Sequence, residues 1–300
     1  MDVGNIYNIV LVHLGNDFFG YINDCIEQIR KFNKCDIYFV SEKIHHPKIS
    51  DKEVILVDVS KYKNSEKYNI FNNTTNLNRN FRGGFWKFAT ERFFVLEYLI
   101  EEYNLKNIFH LENDNLIYFD IGEYLKIFND NYEIAAVFDN DIRCIPSFMY
   151  FTDGKELGHF TNFILKNNGV NDMELIPKYV LKGGNLNTLP ILPDNYDKPF
   201  LSKSNHTTKN QKQFFNNIDK FNSIFDGAAI GQFLGGVDPR NQKGDSTGFI
   251  NESTIFNVSL FDYSFEINEK GHKIPYLTYK NKKYRINNLH VHCKNLKKLM

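Results

Sequence analysis

The sequence predicts an α/β fold built around a mainly parallel sheet. The first half alternates short apolar runs with stretches of helical period. The chain is long enough, at 300 residues, to bury a large core. Its 42% hydrophobic and 24% charged residues read as globular and exclude a disordered chain.

Asn8–His13 (NIVLVH) reads as a buried strand, and Tyr21–Lys31 as a helix with Ile22, Ile26 and Ile29 on one face. Asp36–Val40 and Val54–Val59 are further strands, and Lys61–Asn80, polar and Asn-rich, reads as a loop. Phe85–Tyr103 is a helix with Phe88, Arg92, Val95, Leu96, Leu99 and Tyr103 spaced by three or four. Strands at Asn107–Leu111 and Leu116–Phe119, a helix at Ile121–Phe128 and a strand at Ile134–Phe138 complete the alternation.

The second half is less regular. Phe148–Phe151 reads as a strand and Lys155–Leu165 as an amphipathic helix. Lys182–Asn222 is loop-rich, with Gly183, Gly184 and three prolines, the composition of a lid or binding loop. A short helix at Ala228–Leu234, a hairpin of Tyr276–Tyr279 and Lys282–Ile286, and a last strand at Leu289–His292 follow.

Thirty-six basic residues balance 36 acidic ones, which gives no electrostatic case for a nucleic-acid partner. The four cysteines form no CxxC pair or zinc spacing and read as free buried thiols of a reducing compartment. The apolar run near the N-terminus is too short for a signal peptide or anchor, and no later run reaches membrane-spanning length. The expectation is a soluble protein, cytoplasmic or otherwise intracellular, in which the sequons at Asn205 and Asn251 carry no weight.

Four segments carry chemistry. In Phe109–Tyr118 (FHLENDNLIY) an apolar strand runs into Glu112-Asn113-Asp114, and a second strand leaves it. Residues two apart in a strand project to one side, so the two carboxylates converge at a strand end. Close like charges repel, and a hard cation, Mn²⁺ or Mg²⁺, neutralises them and can bridge to phosphate. A solvated acidic turn is the alternative.

Second, Arg92 lies on the helix before that strand, and a guanidinium suits diphosphate or sugar hydroxyls. Pairing with a surface acid such as Glu91 or Glu97 is the alternative. Third, Phe225–Arg240 is dense in small residues that allow a ligand close to the backbone. There Asp226 and Gln232 are the catalytic candidates. Asp226 also suits a helix N-cap, Gln232 a solvent-facing site, and Gly235-Gly236 a helix stop. Fourth, His290 and His292 alternate with apolar residues, so both face one side of a strand, with Lys294 just beyond.

The order of these segments resembles GT-A glycosyltransferases, most nearly the glycogenin and lipopolysaccharide galactosyltransferase type. The matching residues are Ala89-Thr90-Glu91-Arg92, Glu112-Asn113-Asp114, Asp226 with Gln232, and His290/His292 with Lys294. The resemblance departs at Glu112, where the family has Asp, and at the C-terminal HVHCKNLKKLM, which lacks the usual His-x-x-Gly-x-x-Lys-Pro-Trp.

The resemblance implies a single Rossmann-like GT-A domain over residues 1–300. About 1–140 would bind the nucleotide sugar, and about 141–300 the acceptor, with the C-terminal metal- and phosphate-binding segment. It implies Mn²⁺ or Mg²⁺ on Glu112, Asp114 and one of His290 and His292. Arg92, Lys294, His13, Gly15 and Asn113 would contact the donor. That donor would be a UDP-sugar, with a GDP-sugar possible, and the acceptor a hydroxyl on a glycan or protein. The rival readings are another metal-dependent α/β nucleotide enzyme and a non-catalytic carbohydrate-binding protein of the same fold. The first would need more clustered acids or a phosphate-binding glycine loop, and no GxxxxGK(S/T) occurs here.

Overall fold

The computed structural model describes residues 7–201, 211–241 and 247–300. Strand and helix alternate as expected: β1 (Asn8–His13), α1 (Tyr21–Phe32), β2 (Asp36–Ser41), β3 (Ile55–Asp58), α2 (Glu66–Thr74), α3 (Phe85–Tyr103), β4 (Ile108–Leu111), β5 (Asn115–Ile117), α4 (Ile121–Asn131) and β6 (Ile134–Asn140). They are followed by β7 (Arg143–Phe151), α5 (Gly154–Lys166), α6 (Asp172–Leu181), β8 (Leu186–Thr188), α7 (Ile218–Phe221), β9 (Ser223–Ile224) and α8 (Ala229–Gly235). The chain ends in β10 (Asp262–Ile267), β11 (Lys273–Tyr279), β12 (Lys282–Ile286) and β13 (Asn288–His290).

The main sheet has seven strands in the order β3-β2-β1-β4-β7-β6-β8. β7 alone runs antiparallel to its neighbours β4 and β6. The connection order reverses between β1 and β4, so their adjacent carboxyl ends form the crevice where open α/β sheets bind ligands. A second sheet, β10-β11-β12-β9, and a two-stranded pair, β13-β5, belong to the second half.

Alternation along β4 shows how the sheet is covered. Phe109 packs edge-on against Phe128 of α4, with ring centroids 4.9 Å apart. The next side chain, His110, points the other way, towards Arg92 of α3, whose charge helps burial keep the imidazole neutral. Helices therefore flank both faces, with an aromatic core of Phe109, Phe128, Phe148, Phe221 and Phe225 on the α4 side.

Several expectations need correction. Lys61–Asn80 contains α2, because Tyr68 and Phe71, three apart, bury one face in spite of the asparagines, with Phe71 5.0 Å from Phe94 of α3. The strand at Phe148–Phe151 is the end of the longer β7, where Pro146 and register shifts against β6 obscure the pattern. Within Lys182–Asn222 the described residues include β8 and α7, while 202–210, with Asn205, lie outside the described residues. The hairpin of β11 and β12 turns at Lys280 and Asn281, both with positive φ as a two-residue hairpin turn requires, and β10 adds an edge strand. The last strand stops at His290, so His292 and Lys294 lie in the turn beyond it.

No helix among the described residues is long and apolar enough to cross a membrane. All four cysteines are buried.

Candidate metal and donor site

Glu112 and Asp114 sit in the turn between β4 and β5, closed by the Asn115 amide donating to the Glu112 carbonyl at 3.0 Å. The carboxylates do converge, by this turn rather than by strand alternation. Ligand atoms of Glu112, Asp114 and His290 all lie within 4.8 Å of one another. β13 delivers the histidine: His290 is in register with Asn115 of β5, and the Val291 amide donates to the Asp114 carbonyl at 2.9 Å. Two buried asparagine side chains fix that register. Asn288 Nδ2 donates to Asn115 Oδ1 (3.0 Å) and to the Asp226 carbonyl (2.8 Å), and Asn115 Nδ2 donates to the Ser147 carbonyl (2.7 Å).

His290 Nδ1 lies 2.8 Å from the Gly227 carbonyl, which can only accept, so Nδ1 carries a proton. Nε2 then faces Glu112 Oε2 at 3.1 Å and Asp114 Oδ1 at 3.3 Å. Burial would lower the pKa of this imidazole. The two carboxylates overrule it and push it up to about 10, so a proton on Nε2 stands between two acids. Glu112 is held below the ordinary carboxylate range: burial opposes this, and Arg92 and His290 prevail. Asp114 is held low in the same way by Lys294 and His290. Two carboxylates and an imidazole oriented by a carbonyl fit a hard to borderline divalent cation, and among the described residues no thiol joins the group.

The remaining expected residues divide into those near this group and those away from it. Lys294, in a left-handed turn (φ 63°), forms an ion pair with Asp114 and lies 5.7 Å from the Tyr21 ring. Arg92 is buried and pairs with Glu112 and, at 2.8 Å, with Asp172; neither Glu91 nor Glu97 is its partner. Glu91 is instead paired with Lys87, and Glu97 with Lys67. His292 packs against His290 with ring centroids 4.2 Å apart and the rings tilted by 56°, and stands outside the three-residue group. Burial and the charges of His290 and Lys294 keep it neutral.

Gln232 is buried rather than solvent-facing. Its amide donates to His292 Nδ1 at 3.1 Å, while its oxygen accepts from Asn251 at 3.0 Å. Asp226 is buried as well, and both of its oxygens are engaged. Oδ1 accepts from the Ile230 amide (2.9 Å), and Oδ2 from the Gly231 (2.9 Å) and His290 (3.1 Å) amides. Burial pushes its pKa up to about 6 against the pull of those three amides. The carboxylate thus ties the start of α8 to the backbone of β13.

At the end of β1, Asn113 Nδ2 donates to the Val12 carbonyl at 3.2 Å, and its buried Oδ1 has no partner. His13 lies 2.6 Å from the Asp17 carbonyl through Nε2 and packs among Phe18, Phe19, Phe39 and His45. Gly15 (φ 107°) takes a backbone conformation that strains other residues, and Phe88 lies 3.4 Å from where its Cβ would be.

Four residues of this neighbourhood, Asp172, Tyr21, Asp238 and Gly231, were not singled out from the sequence. Asp172 belongs to α6, a helix hidden by Pro177. Tyr21 begins α1. Asp238 pairs with Arg240 at 2.6 Å and lies 3.9 Å from Arg82, joining the turn before α3 to the segment after α8. Gly231 gives no signal of its own within the small-residue segment, yet a Cβ there would lie 2.1 Å from the His290 carbonyl oxygen.

No protein-family model matches the sequence, and no curated protein matches it. Among solved structures the chain is similar to mouse xyloside xylosyltransferase 1 at 9% identity and a TM-score of 0.46, over 61% of this chain and 85% of that one. It is also similar to the galactosyltransferase LgtC, solved with donor and acceptor sugar analogues, at 11% identity and a TM-score of 0.44, over 67% of this chain and 80% of that one. At that distance the chemistry has to be read from this chain's own residues.

Proposed function

We propose that this chain is a metal-dependent glycosyltransferase. It moves a sugar from a nucleoside diphosphate sugar, with UDP-sugars favoured over GDP-sugars, to a hydroxyl of a glycan or protein acceptor. The observation that carries this reading is the convergence of Glu112, Asp114 and His290 beside Lys294 at the carboxyl edge of β4, next to the reversal of strand order.

Mn²⁺ or Mg²⁺ held by Glu112, Asp114 and His290 would offset the diphosphate charge and stabilise it as a leaving group. Lys294, paired with Asp114, supplies a cation that a phosphate oxygen can share. Asn113, whose buried Oδ1 has no partner, His13 and Gly15 border the β1 end of the crevice and are the donor-side contacts of this reading. Asp226 sets the position of His290 through its backbone amide. Gln232 fixes His292 behind that ring.

The test is a panel of nucleotide sugars, scored for Mn²⁺-dependent release of nucleoside diphosphate with water as the slow acceptor. The expected result is release from one nucleotide class in the wild type and none from D114N. Release that ignores EDTA and D114N would overturn the metal-dependent reading.

A further inference from the structure

The two oxygens of Glu112 have different partners. Oε1 is taken by Arg92, while Oε2 points into the group, 3.1 Å from His290 Nε2. A carboxylate free to rotate could present either oxygen, or swing away, so whatever holds Oε1 also aims Oε2.

Exposure falls steadily behind it. The Glu112 side chain is 24% exposed, Arg92 7% and Asp172 3%. Arg92 therefore stands behind the acid, with one terminal nitrogen on Glu112 and the other 2.8 Å from Asp172 Oδ2. A guanidinium fork has fixed geometry, so engaging one arm orients the other.

Asp172 does not act as the helix cap that its place at the start of α6 would suit. Asn171 caps that helix by accepting from the Glu174 amide at 3.3 Å, which leaves the Asp172 carboxylate turned inward. Burying such a pair is costly, and well-packed apolar side chains would stabilise the core as well or better. Its one evident product is a guanidinium pinned against Glu112.

We infer that Asp172 and Arg92 are positioning residues, a buried clamp that aims Glu112 Oε2 at the cation, and that Arg92 does not touch the donor. The inference rests on the metal-binding part of the proposed function. Outer partners of this kind set metal affinity, and their loss typically costs roughly 10–100-fold.

The experiment measures Mn²⁺ alone, by electron paramagnetic resonance of the free ion, against wild type, D172N, R92K and R92K/D172N. Lysine keeps a charge near Glu112 but cannot bridge two carboxylates. Each single variant is expected to bind Mn²⁺ about 10–100-fold more weakly. The double variant should be no weaker than the weaker single, because Asp172 acts only through Arg92. Melting curves in EDTA accompany each titration, and near-wild-type midpoints with weakened Mn²⁺ are the expected pair.

Wild-type Mn²⁺ affinity in R92K or in D172N overturns the inference, as do single losses that multiply in the double variant. If D172N does not fold, R92K decides alone. A wild-type protein that binds no Mn²⁺ overturns the metal-dependent reading itself and takes this inference with it, an outcome distinct from binding that the two variants leave unchanged.

Discussion

The two sides of the cation group are built by different means. Glu112 and Asp114 are held by side-chain ion pairs, to Arg92 and to Lys294. His290 is held by the backbone: its ring donates to the Gly227 carbonyl, its amide donates to Asp226, and its carbonyl lies against Gly231. Ion pairs tolerate small movements of the chain and fail when charge is removed. Backbone contacts are indifferent to charge at the reacting group and fail when a few atoms are added. The acidic side should thus break on isosteric neutralisation, and the histidine side on changes of shape.

The largest expected effect lies on the acidic side. D114N keeps the shape and removes one charge of the cation group and the partner of Lys294. A bound metal contributes several kcal/mol of transition-state charge stabilisation, so Mn²⁺-dependent turnover should fall at least about 100-fold with little change in melting temperature. Turnover within a few-fold of wild type would separate Asp114 from the chemistry.

On the histidine side, G231A places a Cβ 2.1 Å from the His290 carbonyl oxygen, and that oxygen belongs to backbone that cannot swing aside. Overpacking of this kind costs about 1–3 kcal/mol or more, read as a lowered urea midpoint, with Mn²⁺ binding weakened alongside. D226N tests the same contacts more gently. Asn is ordinarily a good cap, but here both oxygens accept backbone amides, and an amide nitrogen in either place leaves a buried donor facing a donor. The expected loss is about 1–3 kcal/mol, so D226N should lower both stability and activity. A D226N protein with wild-type stability and sharply reduced turnover would instead point to direct chemistry at that carboxylate.

The proton on His290 gives a prediction that joins the two sides. Its pKa is raised from 6.5 to about 10 by the acids, so its contribution to stability is full below about pH 6.5 and is lost as pH rises towards 10. Protein treated with EDTA should accordingly be less stable at pH 9 than at pH 7 by this term, and H290Q should lack the term. In the proposed reading a cation replaces that proton, so Mn²⁺ binding at pH 7 should release about one proton and tighten as pH rises. Calorimetry in two buffers of different ionisation enthalpy reads the proton directly. Zero release would mean that His290 keeps its proton and is no ligand.

How far the sequence discloses this site follows from what each residue contacts. Glu112-Asn113-Asp114 is legible because it interrupts two apolar runs, and burial of the runs fixes where the acids emerge. His290 is legible from its alternation with Leu289 and Val291. Extending that alternation to His292 fails, since the strand ends at His290 and the chain turns with Lys294 at positive φ. Asp172 is invisible from the sequence: it meets Arg92 across 80 positions, on a helix whose Pro177 and exposed Leu181 hide the period. Gly231 is missed for another reason, because a glycine needed for closeness to a distant backbone looks like any other small residue. The parallel strands of the first half read clearly as continuous apolar runs. β8 and β10 do not, the first being three residues long and the second an edge strand with mostly exposed side chains.

The smallest expected effect is at His292, and it decides between the paired histidines. The two imidazoles touch at a tilt and are two residues apart, so sequence reasoning treats them alike. The structure distinguishes them by their neighbours. His290 Nε2 faces both acids, whereas His292 Nδ1 accepts from Gln232, and its ring lies outside the group formed with Glu112 and Asp114. H292Q removes a neutral ring that backs His290, and glutamine can still accept from Gln232. Mn²⁺ affinity should fall by no more than about tenfold, the lower end for a partner that supports a ligand without being one. H290Q removes a ligand atom and should lose far more. A titration of both variants with Mn²⁺ separates them. Equal losses would mean that both rings reach the cation, which requires His292 to leave Gln232 and the turn after β13 to rearrange when metal binds.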